Sequence, residues 1–498
     1  MRGGVSMAQY IIAHDLGTSG NKATLFNTDG RFVKSCTIPY DVHFFGKNCA
    51  EQNPEDWWSA VCRATKNVME EIKKADVIAI SFSAQMQGCL LVDGEGKPLR
   101  PSIIWADQRA VKETEHLNRE IGFDRMYVLT GHRLNPSYTL EKIMWLKDNE
   151  PEVYQKASRS LQAKDYILFR LTGEFATDYS DASGTNALDL ENFCWSDEIL
   201  EASGINRSLL PELHHSTDII GNVTKEAAAA TGLCEGTPVI CGGGDGPCAA
   251  VGAGCIHDDE LFATFGTSAW IGGTTKEKFL DDDKIFFCFA NIIPGKYMPC
   301  GAMQAAGSSY SYIRGLLEPG KPYSELNAMI EKSPAGAKKL LFLPYMLGER
   351  CPRWNEETSG AFLGIKMHHT REDYLRAVIE GVAYNLELIL ASYRKYLPAE
   401  SLILTGGGAK GDVVCQILSD VFEAKLRTPD HVEEATSIAA AVTAGVGAGV
   451  YSGFDEITRF LKFQKEYTPN ADNQAVYGKM KKIFDASYYA LEPVYKMF

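Results

Sequence analysis

The chain has 498 residues, enough for about two to four domains at a typical size of roughly 100–200 residues each. Its 64 acidic residues outnumber its 50 basic residues and give a formal net charge of −14. A nucleic-acid partner is not expected, because proteins that bind nucleic acids normally present a basic face. The 13 cysteines include no CxxC pair, which predicts reduced thiols in a reducing compartment and hence a cytoplasmic protein.

The first residues carry no targeting pattern. Residues 1–9 have one charged side chain and no apolar core of the kind found in signal peptides, so we expect a short extension before a natural start at Met7. The most apolar later stretch, Ile438 to Val450, is shorter than the ~20 residues that span a bilayer. We therefore expect a buried helix there and no membrane partner.

The front of the chain alternates strands and helices. An apolar run at Tyr10–Asp15, a glycine-containing turn at Leu16–Gly20 and a second run at Lys22–Phe26 predict a β-hairpin. Helical periodicity follows over Glu55–Lys74, and Val77–Phe82 is a short β-branched run typical of a buried strand. This order predicts an α/β layer architecture.

The second half begins with the same pattern. Glu260–Phe265 and Ala269–Gly273 are apolar runs that flank the turn Gly266-Thr-Ser268, much as in the first hairpin. We therefore predict two related halves, divided into domains at residues 8–253 and 254–498.

Both Gly-Thr-Ser turns have the composition of a phosphate site. Glycine lets backbone N–H groups approach a phosphate closely, and the hydroxyls of Thr and Ser add donors. Asp15, at the end of the preceding strand, could hold Mg²⁺ directly or through water. A single turn of this kind could equally be an ordinary hairpin turn, but two favour a paired phosphate clamp.

A second acid lies in the glycine-rich segment Gly242–Gly246. It follows the predicted strand Pro238–Cys241 and precedes Pro247–Gly254, a stretch of small residues that predicts a helix. Proteins of the α/β class bind ligands at such strand ends. Asp245 could therefore accept a proton from an attacking hydroxyl, or it could simply be the N-cap of the helix.

Three further segments are candidates for ligand contacts. Thr405–Lys410 offers flat glycine backbone that could lie against adenine or ribose, or could be a structural turn. Gln85–Gly88 and Ile103–Arg109 place polar groups beside an aromatic side chain, as a sugar pocket requires, although each segment alone could be structural. The sequence contains no Walker GxxxxGK[ST] motif, so a P-loop is not indicated.

Taken together, these residues resemble the FGGY family of carbohydrate kinases, which share the actin-like ATPase fold. The resemblance extends from about Tyr10 to about Gly453, and within the family it is most similar to the xylulokinase pattern. Besides the segments above, it rests on five motifs: Ser137–Asn149, Lys164–Tyr166, Thr177–Thr185, Gly348–Trp354 and Gly360–Gly364.

The resemblance implies two actin-like (RNase H-like) domains flanking a central cleft, an N-terminal one for sugar and a C-terminal one for nucleotide. It implies Asp245 as the catalytic base, with Asp15 and Asp245 near Mg²⁺. Sugar would contact Met86, Gln87, Trp105, Asp107 and Asp245. ATP would contact Thr18, Ser19, Lys22, Gly266, Thr267, Gly307, Gly407, Gly408 and Ala409.

The implied activity is ATP-dependent phosphorylation of a small ketose, D-xylulose to D-xylulose 5-phosphate. At two sugar-facing positions the chain departs from the xylulokinase pattern, with Gln87 in place of His and Gly246 in place of Asn. A kinase for another ketose or polyol, of the ribulose, erythritol or glycerol type, is therefore an alternative. A non-catalytic actin-like ATP-binding module and a non-catalytic sugar sensor are others. The oligomeric state is left open, with a homodimer among the alternatives.

Overall fold

The computed structural model describes residues 9–431 and 433–498, and the predicted extension before Met7 lies outside them. The first large sheet contains the predicted hairpin, Tyr10–Leu16 paired with Gly20–Asn27, and the predicted strand Val77–Ala84 parallel to Tyr10–Leu16. From edge to edge its strands are Ile219–Asn222, Pro238–Ile240, Val77–Ala84, Tyr10–Leu16, Gly20–Asn27 and Phe32–Pro39, and Gly243–Gly244 also pairs with Val77–Ala84.

The second large sheet repeats this topology. Glu260–Phe265 is antiparallel to Ala269–Thr274 and parallel to Ser401–Thr405, as Tyr10–Leu16 is to its own two neighbours. The prediction of two related halves is therefore confirmed at the level of strand order and direction. The strands are, in order, Phe287–Ala290, Tyr297–Met303, Ala269–Thr274, Glu260–Phe265, Ser401–Thr405, Lys425–Pro429 and Phe463–Tyr467.

Helices cover the faces of both sheets, and short strands form small additional ladders. The helices are Pro54–Val68, Val111–Glu120, Phe123–Thr130, Thr139–Asn149, Pro151–Lys156, Ala163–Thr172, Tyr179–Ser183, Asp197–Ser203, Lys225–Thr231, Asp245–Ala253, Gly307–Leu317, Tyr323–Ile330, Arg371–Tyr393, Asp412–Phe422, Ala435–Gly447 and Ala471–Tyr495. The short strands are His43–Phe45, Cys49–Gln52, Leu90–Val92, Ser102–Ile103, Arg159–Leu161, Ala176–Asp178, Leu188–Asp189, Cys194–Trp195, Glu212–His214, Leu341–Leu343 and Ala361–Leu363.

Two helices of small residues pack against each other between the halves. Asp245–Ala253 contacts Ala435–Gly447 so closely that a Cβ at Gly252 would overlap the backbone of Ala435. Ala435–Gly447 also packs on Tyr10–Leu16 and Val77–Ala84 of the first sheet. The helix Ala435–Gly447, which follows the predicted domain boundary in sequence, thus covers the first sheet. The predicted division into domains at residues 8–253 and 254–498 stays a prediction.

Some predicted boundaries are wrong. The helix predicted to reach Lys74 ends at Val68, and Lys74–Asp76 forms a separate 3₁₀ turn. The buried helix predicted over Ile438–Val450 begins earlier, at Ala435, and ends at Gly447. All 13 cysteines are free thiols, most of them buried. Within the described residues, no helix has both the length and the apolar character needed to cross a bilayer.

Candidate active site

A cavity of about 550 Å³, here called the central cavity, opens between the two halves. Its walls come from both: Thr18, Gln87 and Trp105 belong to the first half, and Trp270 and Thr405 to the second. Most of the remaining wall is apolar, formed by aromatic, methionine and alanine side chains. The charged residues that line it in the described part of the chain are Asp245 and Glu433, both acidic.

Asp245 is held at the central cavity by the start of its helix. Gly244 occupies the N-cap position and Asp245 is the first helical residue, so the N-cap alternative is wrong. A Cβ at Gly244 would overlap Met86, so glycine there lets the Gln85–Gly88 segment pack against this turn. The carboxylate of Asp245 has no side-chain partner within residues 9–431 and 433–498, and hydrogen bonds from the backbone N–H groups of Gly246 and of Asp245 itself act to lower its pKa.

The two acids predicted from the sequence influence each other. Burial, with the nearby charge of Asp15 as the second cause, raises the pKa of Asp245 to about 7. Burial also raises the pKa of Asp15, opposed by the positive charge of Lys22 and by a 2.7 Å hydrogen bond from the hydroxyl of Thr436 to Oδ2. A carboxyl group with a pKa near 7 is well matched to accepting a proton at neutral pH.

These two carboxylates fit Mg²⁺. Mg²⁺ is commonly held by one or two carboxylates together with substrate phosphates and water. Asp15 uses Oδ2 for Thr436, so Oδ1 can accept a further ligand. No group of three or more His, Cys, Asp or Glu side chains in the described residues could enclose a metal ion by itself. The donor set therefore suits an ion that arrives with phosphate.

Each Gly-Thr-Ser turn is closed by a backbone hydrogen bond from its glycine, but the first turn is one residue longer than the second. The N–H of Gly17 donates to the carbonyl of Gly20 at 3.0 Å, and the N–H of Gly266 donates to the carbonyl of Ser268 at 2.9 Å. The N–H groups of Thr18 and Thr267 have no partner among the residues described. Each turn therefore presents a free backbone donor of the kind that binds phosphate.

The Gln85–Gly88 segment follows the strand Val77–Ala84, as predicted, and Met86 and Gln87 line the central cavity. Trp105 lines it too, with 37% of the residue exposed, and its indole Nε1–H donates to the hydroxyl of Thr18 at 2.9 Å. The structure thus brings Thr18, Met86, Gln87, Trp105 and Asp245 together at one cavity.

Asp107 does not line the central cavity. Its buried carboxylate accepts hydrogen bonds from the guanidinium of Arg109 and from the backbone N–H of Ala50. Since both oxygens are occupied, Asp107 holds the loop that carries Trp105 and has no free oxygen facing a ligand. The prediction that it contacts sugar is corrected in this way.

A second cavity of about 940 Å³, here called the outer cavity, lies in the second half. Gly266, Thr267, Gly307, Gly407 and Gly408 all line it, as expected of residues predicted to face a nucleotide. A Cβ at Gly307 would overlap the carbonyl oxygen of Gly266, so glycine lets the helix Gly307–Leu317 begin directly on this turn.

Three residues predicted to face ATP lie elsewhere. Ala409 is buried, and Ser19 is exposed at the tip of its turn. Lys22 donates to the carbonyl of Glu433 at 2.9 Å and pairs with the carboxylate of Glu434 at 3.1 Å. Its ammonium is therefore occupied, and these three residues do not line either cavity.

Sequence reasoning missed much of the cavity walls. Tyr310, Tyr323 and Asn327 line the outer cavity from two helices, and Phe287 and Phe289 line the central cavity from one strand. These are ordinary amphipathic positions with no local motif.

Comparisons with known proteins show the family to which the chain belongs. Residues 10–252 match the family model for the N-terminal domain of the FGGY family of carbohydrate kinases, and residues 261–448 match the C-terminal domain. The chain is 32% identical over 482 residues to the xylulose kinase of Bacillus subtilis (strain 168), covering 96% of this chain and 95% of the relative. It is 30% identical over 490 residues to the gluconokinase of the same strain, covering 96% and 95%.

Solved structures of similar proteins share the fold. The ligand-bound xylulose kinase from Lactobacillus acidophilus has a TM-score of 0.93 and 29% identity, covering 98% of this chain and 100% of that one. The gluconate kinase from the same organism has a TM-score of 0.92 and 29% identity, covering 99% and 100%. The predicted two-domain α/β architecture is thus confirmed. The chain belongs to the FGGY family of carbohydrate kinases and is an ATP-dependent sugar kinase.

Proposed function

We propose that the chain transfers the γ-phosphoryl group of ATP to D-xylulose and forms D-xylulose 5-phosphate. Relatives named xylulose kinase and relatives named gluconokinase are about equally similar to it, so the choice between a neutral ketose and a sugar acid rests on the site. D-Xylulose is uncharged, whereas gluconate carries a carboxylate.

The charge of the central cavity carries the proposal. Its charged lining residues, within the part of the chain described, are Asp245 and Glu433, and no Lys or Arg lines it there. The carboxylate of Glu433 is paired with Lys410 at 2.7 Å, so Asp245 is the lining acid without a cation partner in the described residues. A sugar carboxylate enclosed beside Asp245 would be repelled and poorly solvated. A neutral sugar avoids this cost, and its C–H faces can pack on the aromatic wall formed by Trp105 and Trp270.

In the proposed reaction Asp245 acts as the general base. Its carboxylate takes the proton of the attacking sugar hydroxyl while the new O–P bond forms and the bond from the γ-phosphorus to the ADP oxygen breaks. A pKa of about 7 lets the carboxylate exist at neutral pH and still bind the proton during transfer. We expect kcat/KM to fall at acidic pH, because protonated Asp245 cannot accept that proton and the nearby Mg²⁺ favours the ionised carboxylate.

The two turns place the phosphates. ATP would lie in the outer cavity, with the N–H groups of Thr18 and Thr267 donating to phosphate oxygens at the boundary between the two halves. Asp15 and Asp245 would hold Mg²⁺, which when bound neutralises charge on the phosphate oxygens. Phosphoryl transfer depends mostly on positioning and charge stabilisation, and these residues supply both.

The experiment is an ADP-release assay on the wild type and on Asp245→Asn. Asn keeps the shape of the side chain but cannot act as a base, so we expect kcat to fall about 10²–10⁴-fold. A variant that retains more than about a tenth of the wild-type kcat would remove Asp245 from this role. The free thiols agree with a reducing compartment, and we propose a cytoplasmic location.

A further inference from the structure

Gln87 has an unusual backbone conformation at the wall of the central cavity. Its φ is +65°, in the left-handed region that residues other than glycine seldom adopt. Such a conformation persists only where the surroundings impose it. The direction of the Gln87 side chain therefore depends on whatever holds its two peptide groups.

Lys142 holds the carbonyl side. Its side chain is fully buried, and its Nζ donates to the carbonyl of Gln87 at 2.7 Å and to the carbonyl of Ser137. From the first turn of the same helix, Thr139 donates its hydroxyl to the carbonyl of Gly88 at 3.1 Å. The N-terminal end of the helix Thr139–Asn149 thus fixes two successive carbonyl groups of the Gln85–Gly88 segment.

Gln162 holds the amide side. Its Oε1 accepts the backbone N–H of Gln87 at 2.6 Å, and its Nε2 donates to the carbonyl of Asp181 at 2.8 Å. The backbone N–H of Gln162 is bound in turn by the carboxylate of Asp165 at 3.0 Å. Both peptide groups of residue 87 are therefore clamped by side chains from outside its own segment.

The contacts of Lys142 suggest more than a packing role. No carboxylate lies within ion-pair distance of its ammonium in the described residues, so the charge is buried against carbonyl oxygens alone. Burying a cation in this way is costly, and an apolar side chain of similar volume would often serve stability as well. What an apolar side chain cannot do is bind the carbonyl of Gln87.

We propose that Lys142 is a positioning residue that aims Gln87 into the central cavity and thereby sets the affinity for sugar. This inference rests on the proposed function in one respect, namely that the sugar occupies the central cavity. It assigns a role to the Ser137–Asn149 motif, which the proposed reaction does not otherwise use.

The test compares Lys142→Met with Lys147→Met. Lys147 lies on the same helix and also donates its ammonium to a backbone carbonyl, that of Gly204, at 2.7 Å, but away from the cavity. Amide hydrogen exchange of a peptide that contains residues 85–88 reports on the clamp without any substrate. We expect exchange there to be at least tenfold faster in Lys142→Met and unchanged in Lys147→Met.

Kinetics then test the effect on sugar. The wild type is first assayed with D-xylulose and with other ketoses and polyols, and the sugar with the highest kcat/KM is chosen. With that sugar, Lys142→Met should raise the sugar KM at least tenfold. The KM for ATP should change less than twofold. In a Gln87→Ala background the same substitution should have little further effect on sugar KM, because its target has been removed.

If Lys142→Met does not fold, Thr139→Val takes its place, because it removes one hydroxyl at nearly constant shape. It should raise the exchange rate and the sugar KM as Lys142→Met does, but by smaller factors. Unchanged exchange at residues 85–88 in the folded variants, or equal rises in sugar KM for Lys142→Met and Lys147→Met, would overturn the inference. A wild type inactive on D-xylulose would defeat the proposed substrate alone, because the exchange measurement is independent of the sugar.

Discussion

The indole Nε1–H of Trp105 and the hydroxyl of Thr18 are joined by a hydrogen bond of 2.9 Å. Gln52 makes a second link, since its Nε2 donates to the carbonyl of Thr18 at 2.7 Å and its Oε1 accepts from Gln85 at 2.7 Å. The first Gly-Thr-Ser turn is thus tied to both segments that carry the proposed sugar contacts. A substitution that weakens this link should therefore change the binding of both sugar and ATP.

Trp105→Phe tests this link. Phe keeps an aromatic face for the sugar but cannot donate to Thr18, so the turn loses one side-chain restraint worth about 0.5–1.5 kcal/mol. We expect the KM for sugar and the KM for ATP to rise together, each by roughly two- to tenfold on the same scale. Steady-state kinetics with both substrates varied measure this.

Trp195→Phe is the matched control, because its indole donates to the carbonyl of Pro211 at 3.0 Å and lines neither cavity. It should leave both KM values unchanged. A Trp105→Phe enzyme in which only the sugar KM moves would show that the bond to Thr18 does not couple the two substrates.

Thr267→Val should act on ATP. Thr267 lines the outer cavity within the second Gly-Thr-Ser turn, and losing its hydroxyl costs about 0.5–1.5 kcal/mol if it donates to phosphate. The KM for ATP should rise severalfold while the KM for sugar stays within twofold. The reverse pattern would move this turn out of the nucleotide site.

Asp245→Asn should stabilise the protein while it inactivates it. Because burial raises the pKa of Asp245 from 3.8 to about 7, the folded state holds a proton that the unfolded state releases between these values. The free energy of unfolding therefore falls as pH rises from about 4 to about 7, and the cost is complete above 7. At pH 8 the free energy of unfolding of the Asn variant should exceed that of the wild type by about 1–2 kcal/mol after allowance for partial exposure, so the variant should melt at a higher temperature. At pH 4 the two proteins should melt at the same temperature.

Asp373→Asn is a control in which the change in stability at pH 8 should have the opposite sign. Burial raises the pKa of Asp373, but hydrogen bonds from the backbone of Thr370, from Ser333 and from Lys338 outweigh it and bring the pKa to about 2. Its carboxylate contributes stability above about pH 4 that is lost as pH falls toward 2. This variant should melt lower than wild type at pH 8. Thermal melts that show the same sign for both variants would contradict the account of Asp245.

Gln87→His restores the residue usual in the xylulokinase pattern. His is among the residues that tolerate the left-handed backbone better than most, so the φ of +65° should survive the change. If the pocket takes D-xylulose, kcat/KM for it should change less than about tenfold, roughly 1.4 kcal/mol. Identical rates and rankings over all sugars would show that residue 87 does not touch the substrate.

The sequence predicted those features that are local along the chain. The two hairpins each follow from two apolar runs around a Gly-Thr-Ser turn, and the helix Asp245–Ala253 follows from a glycine-rich turn and a run of small residues. The equivalence of the two halves could be predicted because the Gly-Thr-Ser turn occurs twice. The phosphate and base roles assigned to these positions stay predictions.

Contacts between distant segments could not be predicted. The pairing of Lys22 with Glu434 joins residues more than 400 positions apart, and no pattern at Lys22 shows that its ammonium is already occupied. The sequence around Asp107 would be the same whether its carboxylate faced a sugar or bound Arg109, and only the folded structure shows that it binds Arg109. For the same reason the aromatic walls at Phe289 and Tyr310 carry no local signal.

The most direct test of the proposed activity is ADP release by the wild type with D-xylulose and with D-gluconate, each at saturating ATP and Mg²⁺, with ribulose, erythritol and glycerol alongside. Asp245 lines the central cavity and no Lys or Arg lines it in the described residues, which predicts a kcat/KM for D-xylulose at least 100-fold above that for D-gluconate, a difference of about 2.7 kcal/mol. Asp245→Asn should abolish the D-xylulose signal. A preference for D-gluconate, or ADP release that no sugar stimulates, would contradict the account.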